Sequence, residues 1–118
     1  MRTELRRDLT TAMKAKDRTA VAALRSALAA IDNAEAVPSD SLDAVATDGE
    51  HVAGAHVGLG AADVARRVLT DGDVRSIIES EVHERDAAAE KYEAMDRADD
   101  ALRLRSEGDV LRRYLAHT

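Results

Sequence analysis

One stretch limits what this chain can become: residues 70–95, TDGDVRSIIESEVHERDAAAEKYEAM, which opens on a helix start signal and meets no breaker after Gly72. A helix start leaves its first backbone N–H donors without intrahelical partners, and the Thr70 hydroxyl is placed to accept from the N–H of Asp73. Leu69 and Val74 occupy the two positions of a hydrophobic staple across that cap. Asp71 and Asp73 put negative charge where the helix dipole favours it. Val74, Ile78, Val82, Ala89 and Tyr92 then keep to one side of a helical wheel, drawing an apolar stripe. A long amphipathic helix of this kind needs other helices to bury its stripe.

The rest of the chain supplies them. Phe and Trp are absent and Tyr occurs twice, so the core must come from Leu, Ile, Val, Met and Ala. β-branched and aromatic residues are too sparse for a sheet, whereas Ala is the best helix former and lets helices approach closely. The fold class is all-α: a small bundle of about four helices in one domain over residues 1–118. Residues 2–15 predict a first helix with Leu5, Leu9, Ala12 and Met13 inward. Asp17 caps a second over 18–36, whose core is Val21, Leu24, Leu28 and Ile31, beside a ribbon of Ala20, Ala23, Ala27, Ala30 and Ala34. Pro38 ends it. The long helix spans 71–95. Asp96 or Asp99 caps a last one over 98–115, with Ala101, Leu104, Leu111 and Leu115 inward and Gly108 near the same face. A connection of only a few residues makes the last two helices an antiparallel hairpin. Residues 37–68 read as a long acidic loop holding the single Pro and four of the six Gly.

Charge is divided unevenly. The net charge of −6 argues against a freestanding nucleic-acid binder, whose affinity comes mainly from neutralised phosphates. Residues 1–36 nevertheless hold seven Lys/Arg against five acids, whereas 37–65 hold five acids and no Lys or Arg. Without Cys there is no disulfide, thiolate metal site or thiol nucleophile. The charged N-terminus lacks the apolar run of a signal peptide, and no segment is apolar enough for a membrane span; the expectation is a cytoplasmic protein without membrane contact.

Chemistry-bearing patterns are few. Glu81 and Arg85 form an i,i+4 pair in the favoured order beside the apolar stripe, read either as a charge pair in a groove or as a helix-supporting ion pair at the core's edge. Tyr92 and Tyr114 could stack on a base, or pack in the core with the hydroxyl at the surface. His51 and His56, near Asp48 and Glu50, lack metal-site spacing and read as solvated loop residues, as His83 near Glu79 reads as a solvated helix residue. The Arg doublets at 6–7, 66–67 and 112–113 read as solvated faces. There is no phosphate-cradling Gly-rich loop with a Lys, no Ser-centred elbow and no Cys/His pair, so no catalytic residue, metal or cofactor is assigned.

The order of these signals resembles the YqeY-like (GatB/YqeY domain) proteins, related to the C-terminal tail of the B subunit of the tRNA-dependent amidotransferase. Three segments carry the resemblance: KAKDRTAVAALRSALAAIDNAE at 14–35; LTDGDVRSIIESEVHERDAAAEKYEAMDRADDA at 69–101, with Glu81, Val82 and Arg85 in the family's Glu-Val-x-x-Arg core and Tyr92 at a family position; and LRLRSEGDVLRRYL at 102–115. Asp96 stands where the family usually has Gly, and the sequence ends near the YL pair where typical members continue, so the resemblance is to the N-terminal helical half. It implies an association with glutamine-dependent carbon–nitrogen ligation on charged tRNA, and tRNA or an amidotransferase complex as partner; a bacterial origin is suggested separately by composition, with Arg outnumbering Lys fourteen to three and Ala abundant. It supplies no catalytic residues.

Two expectations follow. In the first, a non-catalytic accessory module touches tRNA through Lys14, Lys16, Arg18 and Arg25. In the second, a helical protein-interaction module, including a homo-oligomer, uses the Ala ribbon or the Glu81–Arg85 face and has no nucleic-acid role.

Overall fold

In the computed structural model, residues 1–36 and 67–116 are described, and they form four α-helices with no strand among them. These are α1 (Arg2–Ala15), α2 (Arg18–Ala36), α3 (Asp71–Ala94) and α4 (Ala98–Leu115). The all-α class and its helices stand as the sequence predicts, α3 closing one residue earlier at Ala94. Pro38, residues 37–66 of the expected 37–68 loop and the histidines at 51 and 56 lie outside the described residues. No helix among those described is long and apolar enough to cross a membrane.

The chain divides into two compact units, Met1–Ile31 with Thr70–Thr118, and Asp32–Leu69. In the second, the Arg67 N–H donates to the Glu35 carbonyl at 3.1 Å. The first holds most of the helical residues and the features that follow.

Local chemistry sets the helix ends. The Thr70 hydroxyl accepts from the Asp73 N–H at 3.0 Å, and the Asp73 carboxylate accepts from the Thr70 N–H at 2.9 Å, a reciprocal capping box. Asp17 caps α2 by accepting from the Ala20 N–H at 3.1 Å. The start of α4 departs from expectation. Its N-cap is Arg97 with no side-chain cap bond, because Asp96 is instead the left-handed residue (φ 61°) that ends α3, and Asp99 lies inside the first turn.

The two helix–helix turns share one design. After α1, Lys16 has φ 60°, its N–H donates to the Met13 carbonyl and the Asp17 N–H reaches the Ala12 carbonyl. After α3, Asp96 N–H donates to Glu93 and Arg97 N–H to Tyr92 in the same pattern. Each is a Schellman motif satisfying the last free carbonyls, with Lys and Asp at the position Gly fills most readily.

Along α3 and α4 the cross-helix partners run in opposite directions, which fixes an antiparallel hairpin. Arg75 donates to the Leu115 carbonyl at 2.8 Å, Arg85 bonds Glu107, and Arg105 forks onto Glu93 at 2.9 and 3.2 Å. That fork holds the Glu93 carboxyl below the usual carboxylate range, although both side chains are exposed and the pair adds little stability. Arg112 clamps both oxygens of Asp86 at 2.6 Å. α1 is tied to α4 by the Tyr114 hydroxyl, which donates to the Asp8 carboxylate, and α2 to α3 by Ser26, which donates to Glu81 at 2.6 Å.

Leu5, Leu24, Ile31, Ile78 and Leu111 are the largest fully buried side chains, joined by Val74, Val82 and Val110 and by Ala12, Ala20, Ala23, Ala27, Ala89 and Ala101. On α2, Ala20, Ala23 and Ala27 of the Ala ribbon, expected to flank the core, lie within it, while Ala30, Ala34, Val21 and Leu28 are half-buried at its edges. On α1, Met13 turns out to solvent at 49 % exposure, and Leu9 is half-buried. On α4, Leu104 and Leu115 are half-buried, and the buried face is Ala101, Glu107, Gly108, Val110 and Leu111.

Candidate binding groove

The α1–α2 turn brings charge and apolar surface together. On α2, Arg18, Val21, Ala22 and Arg25 recur at helical spacing on the side away from buried Ala20, Ala23 and Ala27. The Schellman turn places Lys16 and Met13 beside this stripe, and the six residues line a groove of about 460 Å³. Three of the four cations named from sequence, Lys16, Arg18 and Arg25, thus converge on one surface feature. None of the three has an ion-pair partner among the described residues. Lys14 is exposed on α1 but does not line the groove. One residue is about 100° of helix rotation, which separates Lys14 from its neighbour Met13.

Glu81 and Arg85 stand elsewhere and do something different. The Arg85 guanidinium donates through Nη1 to the Glu81 carboxylate at 3.0 Å and to the Glu81 carbonyl at 3.2 Å, and through Nε to Glu107 at 3.0 Å. Side-chain exposure is 12 % for Arg85, 13 % for Glu81 and 11 % for Glu107. With Ser26 also donating to Glu81, the cluster joins α2, α3 and α4 and presents little to a partner. It is a clasp, not an open charge pair. Tyr92 is half-buried before the α3–α4 turn, its ring covered by the Arg97 guanidinium 5.0 Å from the centroid, so that face is already taken.

Sequence reading missed Glu107, Ser26 and the Asp8–Tyr114 bond. Glu107 gives a retrospective signal: it falls between Leu104 and Leu111 on the apolar side of α4, where a carboxylate needs a partner. Ser26 and Asp8 carry no such mark, since their partners come from distant helices.

A second cavity, of about 430 Å³, is lined by α1, α2 and α4. Tyr114 lines it, and burial followed by the Asp8 hydrogen bond and Asp8 charge push its phenol well above the usual range. Among the described residues no group of three or more His, Asp or Glu could hold a metal ion. No family model, curated protein or solved structure matches the chain.

Proposed function

We propose that this protein is a non-catalytic accessory module that contacts the phosphate backbone of tRNA through the groove of Lys16, Arg18 and Arg25. The observation carrying this reading is the convergence, on one groove of a protein whose net charge is −6, of three cations that have no ion-pair partner among the described residues. A chain of that overall charge gains backbone affinity only where cations are concentrated and left unneutralised by its own acids. The YqeY-like resemblance adds the biological setting, an association with glutamine-dependent amidation of charged tRNA, in which this module positions and does not react.

Fluorescence anisotropy with labelled tRNA tests it. Three phosphate contacts on duplex RNA give a log–log salt slope of about −2.7, or about fortyfold weaker binding at ~200 mM than at ~50 mM salt, taking the B-DNA coefficient. Lys16→Glu/Arg25→Glu should abolish binding, and Lys14→Glu should weaken it far less. No binding at low salt refutes the reading. The exposed Met13 on the same groove supports a second one, an amphipathic protein partner, whose binding would survive high salt better.

A further inference from the structure

The second cavity has a charge arrangement that the bundle itself does not use. Its floor is apolar: Ala12, Ala20, Leu24 and Val110 line it and are themselves buried. Most polar groups around that floor are engaged. Asp8 accepts from Tyr114 and lies 3.6 Å from the Arg7 guanidinium, and the Thr11 hydroxyl donates to the Arg7 carbonyl. Glu4 lies 4.0 Å from the N-terminal ammonium, which leaves two charges over. Asp17 uses one carboxylate oxygen for the α2 cap, and among the described residues no hydrogen bond engages the other. Arg113 has no ion-pair partner among the described residues. These two are opposite in sign and come from different helices, and both line the same cleft.

We propose that this cleft binds a small zwitterion with an apolar body, the chemistry of an aliphatic amino acid. Asp17 takes the ammonium, Arg113 the carboxylate, and the body lies over Leu24 and Val110. A simple anion would meet the carboxylates of Glu4, Asp8 and Asp17, and a simple cation the guanidiniums of Arg7 and Arg113. A zwitterion satisfies both sets, and a cleft of about 430 Å³ is in the range of small-molecule sites. The site shares no residue with the basic groove, so it stands or falls apart from the tRNA reading.

Amide chemical-shift titration of the full chain tests it with L-leucine, isocaproate (carboxylate only) and isoamylamine (amine only). Saturable shifts at Ala20, Leu24, Val110 and Tyr114 are expected with L-leucine, and either single-charge analogue should bind about tenfold more weakly or worse. Asp17→Asn removes the charge while keeping an amide oxygen for the cap. Arg113→Gln changes an exposed side chain. Each should weaken L-leucine binding about tenfold with unchanged circular dichroism. No saturable shift up to the solubility limit of L-leucine overturns the proposal. So does isocaproate or isoamylamine binding as tightly as L-leucine, or unaltered binding in Asp17→Asn or Arg113→Gln.

Discussion

Replacing Arg85 by Met tests whether the charged cluster is a part of the interior. Arg85 makes three hydrogen bonds within it, two of them to carboxylates that are 11–13 % exposed. Methionine preserves much of the apolar stem but leaves Glu81 and Glu107 as two like charges with no counterion. Breaking a buried pair by removing one partner costs about 3–5 kcal/mol, against a total stability of about 5–15 kcal/mol for a domain. Glu107→Gln is the graded control. Its amide oxygen can still accept from Arg85 Nε and the Glu81 pair stays intact, so the loss should be about 1 kcal/mol. Arg85→Met/Glu107→Leu should recover part of the single-variant loss, because it removes one stranded charge. Urea unfolding followed by circular dichroism gives all three values. A loss below about 1 kcal/mol for Arg85→Met would place the cluster in the class of hydrated surface pairs and refute the reasoning.

Three other expectations can be measured the same way. Gly108 is buried in the middle of α4, and a Cβ built there meets nothing nearer than the Arg112 Nη1 at 3.4 Å, a flexible tip. Gly108→Ala should therefore stabilise the protein by about 0.5–1 kcal/mol through helix propensity, with a higher thermal midpoint; a lower midpoint would mean that α3 and α4 have no room for a methyl. Thr70→Ala removes the acceptor for the Asp73 N–H and should cost about 1 kcal/mol in urea unfolding. For Tyr114, the folded phenol titrates above its unfolded value of about 10. Its contribution is complete below that pH and is lost as pH rises through the folded value. Wild-type stability should thus fall more steeply above about pH 10 than that of Tyr114→Phe, and parallel curves would show the shift to be absent.

Features set by neighbouring residues were legible in the sequence, and those set by distant partners were not. The Thr70 box and the Asp17 cap bind residues three positions on, so type and spacing suffice to find them. The α3 stripe was readable for the same reason. On α2 the order of large and small residues misled. Leucines mark a core face only when neighbours leave room for them, and here the neighbours approach closely enough to bury Ala20, Ala23 and Ala27 while pushing Val21 and Leu28 to the edge. The groove was half legible. Arg18 and Arg25 share a face by helical spacing, but the inclusion of Lys16 and exclusion of Lys14 depend on the turn's left-handed residue. Glu107 pairs with a residue twenty-two positions away, a relation that no local pattern carries.

That left-handed residue has a consequence for how the protein can change. Lys16 and Asp96 hold the same backbone conformation in two matching turns, one lining the basic groove and the other far from it in sequence. A left-handed conformation disfavours any residue with a Cβ by about 1 kcal/mol or more relative to Gly. Both positions are therefore under a thermodynamic pull toward Gly, weaker at Asp96, whose short polar side chain tolerates that conformation better than the long one of Lys16. At Asp96 nothing lining the groove is lost by yielding to it. At Lys16 the same drift removes one of the groove's three cations. Selection for stability alone would erase that charge, so the identity of residue 16 in diverging copies records whether the groove is in use.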